Sequence, residues 1–516
     1  MNNNDDKHGG ITRRTLLKAG SAALLAANTA GAMAAPIKTS RSADLAWTPG
    51  WELRDMIASK ALSPVELTRY FLDRIARIDP IINSYITVDP EGAMAQARIA
   101  EDRVMKGKPL GPLHGLPISI KDLTETKGLR STHGSEIYRN FIPSRDEVSV
   151  ERLREAGAII LGKTNTPEFG KFPRTKNTVA GETFNPWNIK RISGASSGGA
   201  GAAVAAGISA MGVGSDGGGS TRIPSCYNGV FGMQPSAGLI PLRIPRSVNT
   251  TSTGPVAVHV RDAATILQVM AGFHPLDPSS IERPAPDFLG DLDNGVAGYR
   301  IAWTRDFGLI PILDARVVDK VEKAAARFTE AGAIVDAPNI LLPDEKAWRV
   351  FMTVNQSSNR VGEVLMAYSP EEQEQLTPPL RKLLETARNS PAIGKEDEIR
   401  MLEDRADVLR WIEGIFAEHD LICTPTLGII APEVPAGEWD QPYTDPYYAN
   451  HISTCYTYLA NILGLPAASV PCGFVDGMPV GLQIIGPRFA DVKVMRAAQA
   501  FSMIQPWMDH HPQLAI

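Results

Sequence analysis

Apolar side chains at Leu67, Tyr70, Phe71 and Ile75 fall on one face of a period of about 3.6 residues, which predicts an amphipathic helix. Ser63-Pro64 supplies its start, a hydroxyl cap followed by proline at the first helical position. Thr48-Pro49 reads the same way for a helix before it. Leu116 to Ile120 is a short apolar run that predicts a buried strand ending at Lys121. Further on, Glu151 to Ala156 predicts a helix, Gly157 its cap and Ala158 to Leu161 a strand. The same logic returns between Asp314 and Val335, with an apolar stripe at Val318, Val321, Ala325 and Phe328. Both stretches contain Glu-Ala-Gly-Ala-Ile, too short a match to make a repeat architecture.

Gly198 to Ile208 is rich in alanine and glycine and predicts a closely packed helix. Residues 274–286 are proline-rich and read as a surface connection. From Pro338 to about Glu403 the chain is helical and charged, and is expected to form part of a substrate pocket's outer wall. Two strands, Ala467 to Phe474 and Pro479 to Ile485, flank Asp476-Gly477, a strong hairpin signal. Alternating helices and strands with one late hairpin predict an α/β fold, a mixed sheet covered by helices.

Composition narrows the class. At 516 residues, 43% hydrophobic and 21% charged, the chain is ordinary globular protein, neither disordered nor polytopic. Its net charge is −5, and it has no Lys/Arg-rich run, so nucleic acid is not an expected partner. Cys226, Cys423, Cys455 and Cys472 lack paired metal-ligand spacing and read as buried thiols. No His/Asp/Glu cluster has ligand spacing either, so neither a metal nor another cofactor is expected.

The N-terminus changes the picture more. Arg13-Arg14 precedes an apolar stretch, Ala19 to Ala30, and then Ala32-Met33-Ala34, a small-x-small cleavage pattern. Residues 1–34 therefore read as a Tat-type signal peptide, 35–47 as a linker and 48–516 as the functional domain. The expected location is the bacterial periplasm or the medium, with no stable membrane insertion after processing. No later stretch reaches the roughly 18–20 apolar residues of a span.

Three segments carry candidate chemistry. They are Gly115-Leu116-Pro117-Ile118-Ser119-Ile120-Lys121-Asp122, Ser193-Gly194-Ala195-Ser196-Ser197-Gly198-Gly199, and Gly214-Ser215-Asp216-Gly217-Gly218-Gly219-Ser220-Thr221-Arg222. A serine hydroxyl needs a base to become a nucleophile. A lysine can be that base if burial lowers its pKa. A glycine run ending in a serine can supply N–H donors to a developing oxyanion.

In these segments the chain resembles the amidase signature family, over about residues 49–506. Gly162-Lys163-Thr164-Asn165-Thr166-Pro167-Glu168-Phe169, Cys423-Thr424-Pro425-Thr426 and Gly464-Leu465-Pro466-Ala467 extend the likeness. The resemblance implies one large α/β domain with a central twisted mixed β-sheet covered by α-helices. It implies amide hydrolysis with Ser220 as nucleophile, Ser196 as the cis-serine and Lys121 as general base. Gly217, Gly218 and Gly219 would form the oxyanion hole, and Ser215, Asp216 and Arg222 would support it. Two positions depart from the family pattern: Ala195 stands where a glycine is usual, and Ser215 where threonine is. The expected partner is a small amide-type substrate, with a homodimer as the assembly it allows.

Three rival readings are weaker. Gly212-Val213-Gly214-Ser215-Asp216-Gly217 matches a dinucleotide fingerprint, but no acidic residue follows between Asp216 and Asp262. Gly194-Ala195-Ser196-Ser197-Gly198 matches the nucleophile elbow of an α/β-hydrolase-type esterase using Ser196. Residues 185–191 before it are too polar for the buried strand an elbow needs. A periplasmic solute-binding protein would not require a lysine and two serines in these contexts. Asp122 reads as a structural ion pair, and His114 and His133 lie where they could touch substrate.

Overall fold

Ser63 does what its position predicts. Its hydroxyl accepts from the N–H groups of Val65 and Glu66, and the Glu66 carboxylate returns to the Ser63 N–H, closing a capping box on the helix Pro64–Ile82. Such a cap is worth about 1 kcal/mol. The helix buries Leu67, Phe71, Ile75, Ile78 and Ile82 against the core. Thr48 behaves differently. The first helix is Gly50–Ala58 with Pro49 at its cap and no capping bond from the cap side chain. Its orphan N–H groups at Gly50 and Trp51 donate instead to the buried Asp262, 212 and 211 residues away.

The computed structural model describes residues 45–244, 250–281, 285–308, 310, 314–356, 358–441 and 456–514. The expected signal peptide and most of the expected linker lie outside them, as does Cys455. The linker's last residues belong to the domain. Ala46 is buried, and Trp47 stacks on His511 at 4.0 Å and lies under the Arg74 guanidinium. Cys226, Cys423 and Cys472 are free, buried thiols.

The strands in chain order are β1 (Tyr85–Val88), β2 (Pro117–Lys121), β3 (Ile159–Thr164), β4 (Lys176–Asn177), β5 (Gly181–Glu182), β6 (Phe184–Asn185), β7 (Asn188–Ile192), β8 (Met211–Asp216), β9 (Phe231–Gln234), β10 (Ser252–Ala257), β11 (Arg300–Trp303), β12 (Ile334–Asp336), β13 (Leu421–Pro425), β14 (Ala467–Val475) and β15 (Met478–Ile485). Eleven of them form one sheet in the order β1-β3-β2-β8-β10-β9-β14-β15-β13-β11-β12. It is mixed, as expected. β2 runs parallel to both β3 and β8, the middle strands are antiparallel, and β11 is parallel to β12 and β13. Helices cover it, and their apolar faces pack with the strands in a main core cluster and in a second one that takes in Ile422 of β13 and the helix Tyr458–Leu463.

The Asp476-Gly477 hairpin forms between β14 and β15, with φ 50° and 74° at the two turn residues, as a two-residue primed turn requires. The helix Ala315–Ala326 and β12 likewise match the pattern read from 314–335. β7 is a strand where the polar residues 185–191 argued against a buried one. It pairs with β6 in a two-stranded ribbon apart from the central sheet and bridges Arg191 to Glu433, and Asn188, Ile189 and Lys190 are exposed, so it is no elbow strand of the central sheet.

Candidate active site

The parallel neighbours β2 and β8 end on the same side of the sheet, in register at Ile120 and Val213. Side chains just beyond such ends face a crevice instead of the core. Lys121 is the last residue of β2, and Ser215-Asp216 closes β8. Between them in sequence, Ser193 to Ser197 leads into the helix Gly198–Ala205. That helix packs very tightly. A Cβ on Gly199 would stand 2.4 Å from the Asn165 N and 2.5 Å from the Ser84 carbonyl oxygen. Only glycine fits there, which sets the depth at which Ser196 sits.

Lys121 is fully buried. Its Nζ donates to Ser196 Oγ at 2.7 Å and to the Ser215 carbonyl at 3.1 Å. The peptide bond between Ala195 and Ser196 is cis. Ala195 is not among the residues with positive φ, so its methyl group meets no left-handed backbone there. Ser196 and Ser220 both line a cavity of about 420 Å3, with Leu123, Phe169, Gly217 and Thr253 among its walls. Burial pushes the Lys121 ammonium down from its ordinary 10.5 to about 7, against the opposing pull of the Asp216 charge.

Asp216 and Arg222 form an ion pair at 3.0 Å with both side chains fully buried. Arg222 also donates to Thr457 O, Gln483 Oε1, Gln234 Oε1 and Asn461 Oδ1. Burial would raise Asp216, but Arg222, Asn461 and the Gly219 N–H outweigh it and hold the carboxyl down to about 2. This satisfied network ties β8 to the start of the helix Arg222–Asn228 and so fixes the loop that carries Ser220.

The glycine run divides in a way the sequence does not reveal. The Gly219 N–H donates to Asp216 Oδ1 at 2.6 Å. The N–H groups of Gly218 and Ser220 have no acceptor among the described residues. Gly217 lines the cavity. Gly219 has φ 120°, and a Cβ there would meet Thr457 Oγ1 at 2.2 Å, so glycine is required for conformation and for space.

Ser215 contributes through its backbone. Its carbonyl accepts from Lys121, and its N–H donates to the Ser197 hydroxyl at 3.3 Å. Ser197, beside the motif's central serine, was missed by sequence reasoning although it lies inside the motif.

Among the described residues, Asp122 forms no ion pair within bonding distance. Its Oδ2 accepts from Thr132 N, Thr132 Oγ1 and Gly134 N. His114 is buried away from the cavity, its Nε2 on the Ala100 carbonyl. His133 does line the cavity. No described residue of 338–403 lines the cavity; Tyr368 from this stretch stacks on Phe169, which does. Leu242 and Arg243 also line the cavity and had no sequence signal. Among the described residues, no three His, Cys, Asp or Glu side chains gather as ligands for an ion.

Comparison with known proteins places this geometry in context. The family model described as Amidase matches residues 66–495. The chain is 33% identical over 480 residues to a glutamyl-tRNA(Gln) amidotransferase subunit of Dehalococcoides mccartyi, covering 89% of this chain and 97% of that one. It is 35% identical over 486 residues to an acylamidase of Rhodococcus erythropolis, covering 91% and 98%. Among solved structures it is similar to a bacterial aryl acylamidase of the amidase signature family. That match has a TM-score of 0.81 at 31% identity and covers 89% and 97% of the two chains.

Proposed function

The chain belongs to the amidase family, whose members hydrolyse amide C–N bonds through a serine nucleophile, and from that premise we propose that Ser220, Ser196 and Lys121 perform this chemistry here. The observation that carries the reading is the 2.7 Å contact from a fully buried lysine to Ser196, on the wall of the cavity that Ser220 also lines.

A neutral Lys121 accepts the Ser196 proton while Ser196 accepts that of Ser220. The Ser220 oxygen attacks the amide carbon. Gly218 and Ser220 N–H groups, with Gly217 beside them, receive the charge that develops on the carbonyl oxygen. Ser196 then returns a proton to the departing amine, and water releases the acyl group by the reverse relay. Asp216 and Arg222 act by holding the loop.

The substrate in this reading is a small amide. The likeness to two acylamidases supports that class. The twin-arginine leader argues against the aminoacyl-tRNA role of the amidotransferase relatives, because an exported enzyme does not meet that substrate. We read the enzyme as exported folded and processed near Ala35.

Ser220→Ala tests the assignment. Turnover of amides should disappear while the far-UV signal and thermal midpoint stay close to wild type. A fluorophosphonate should label the wild-type protein at Ser220 and leave the variant unlabelled. Acylation of that variant at Ser196 would make Ser196 the nucleophile.

A further inference from the structure

Two residues that line the cavity, His133 and Phe169, have φ of 53° and 48°. Outside glycine this left-handed region is uncommon, less so for histidine than for a bulky ring such as phenylalanine, and such outliers persist only where neighbours over-determine them. The two are joined back to back by a hydrogen bond from the Phe169 N–H to the His133 carbonyl at 2.9 Å.

Each is clamped by a buried carboxylate that the proton relay does not use. Asp122 accepts from Thr132 and Gly134, the residues on either side of His133. Glu168, immediately before Phe169, accepts from Ser135 Oγ at 2.6 Å and from the Thr377 N–H at 2.7 Å.

The clamp presents a continuous aromatic surface. The Phe169 ring stacks on Tyr368 at 5.9 Å and 12°, and His133 meets Tyr138 at 5.1 Å and 75°. Tyr138 closes the set against Phe169 at 6.1 Å. Burial, and then the Lys163 charge, lower the His133 imidazole to about 4, so this surface stays uncharged at neutral pH. It also abuts the chemistry: a Cβ on Gly170, the residue after Phe169, would stand 3.2 Å from Ser196 Oγ. Ser220 lines the same cavity as this wall.

We propose that His133 and Phe169, held in place by Asp122 and Glu168, are specificity-determining residues that select amides carrying an aromatic ring. This rests on the amidase reading of the same site and adds its substrate class. Edge and face contacts of a ring with Phe169 and His133 supply selectivity that an alkyl group of similar size cannot match. The ring can belong to the acyl part or to the amine part, and the test separates them.

The test uses Phe169→Asn and His133→Asn. Asparagine tolerates the left-handed region, so the backbone is kept while the ring is lost. Values of kcat/KM are measured for acetanilide, benzamide, acetamide and hexanamide. In wild type at least one aryl amide should be preferred over the alkyl amides: acetanilide if the amine ring is read, benzamide if the acyl ring is. The aryl-to-alkyl ratio should fall on the order of tenfold in Phe169→Asn, mainly through KM. Glu168→Ala should give the same KM-led fall and Glu168→Gln should restore the ratio, because its carbonyl oxygen still accepts from the Thr377 N–H while its amide N–H can donate to the Ser135 hydroxyl.

In parallel, inactivation rates with phenylmethanesulfonyl fluoride and methanesulfonyl fluoride are compared between wild type and Phe169→Asn, with the adduct mapped by mass. Loss of rate confined to the phenyl reagent supports the wall even if no amide is turned over, in which case it is the amidase reading that fails. Amide turnover with equal losses on aryl and alkyl substrates, and on both reagents, overturns the wall and leaves the amidase reading intact.

Discussion

Lys121→Met removes the base while filling nearly the same buried volume, and its consequences can be worked from the structure. Burial lowers the lysine from 10.5 to about 7. At roughly 1.4 kcal/mol per tenfold change, this is about 5 kcal/mol against the charged form. At pH 7 about half the wild-type molecules then hold a neutral Lys121, against roughly one in 3,000 for an unperturbed lysine. The assay is kcat/KM for an unactivated amide between pH 5 and 9. Wild type should climb about tenfold per pH unit below 7 and flatten above it. Lys121→Met should lose about 10²–10⁴ in rate together with the acidic limb.

Stability gives a second readout that needs no turnover. Between about pH 7 and 10.5 the folded protein binds fewer protons at this site than the unfolded chain, so wild-type stability rises with pH across that window. Below pH 7 the full cost of burying the charge applies. The variant should therefore be more stable than wild type at pH 6, by up to about 5 kcal/mol, and the gain should shrink toward pH 10. A wild-type limb centred near pH 10, or the same limb retained in Lys121→Met, would refute the reasoning.

Asp216→Asn leaves the Arg222 guanidinium buried without its anion and should cost about 3–5 kcal/mol in urea unfolding; a loss under 1 kcal/mol would show that the surrounding amides suffice. Asp262, which burial raises from 3.8 to about 7, binds more protons folded than unfolded in that range, so its contribution to wild-type stability falls as pH rises from about 4 to 7. Asp262→Asn should accordingly gain on wild type across this window and run parallel above it; a pH-independent difference in thermal midpoint would contradict the buried-carboxyl account. Arg13→Lys combined with Arg14→Lys should strand the full-length chain in the cytoplasm, and unchanged release of a product starting near Ala35 would exclude twin-arginine export.

Local signals were legible wherever the chemistry is local. Ser63-Pro64 with Glu66 caps its helix because the groups that pair are three residues apart. Asp476-Gly477 turns its hairpin because both residues tolerate positive φ. Lys121, Ser196 and Ser220 could be picked out as a set because each sits in its own short motif. What those motifs do to one another is a matter of distance in space.

The same limit explains what was not legible. The helix at Gly50 donates its first N–H groups to Asp262, a partner the sequence does not indicate, since a carboxylate more than 200 residues away is delivered by packing alone. Gly219 looks like its neighbours in sequence, and only the fold of the loop turns its N–H onto Asp216. Asp122 and Glu168 show no sign in the sequence that they fasten His133 and Phe169 to one cavity wall. The sequence by itself thus determined which residue types could do acyl-transfer chemistry and roughly which elements bear them. Tertiary structure alone decided that Lys121 loses its water, because the strand and the two loops that exclude solvent from its ammonium come from distant parts of the chain, and desolvation acts only once they close around it.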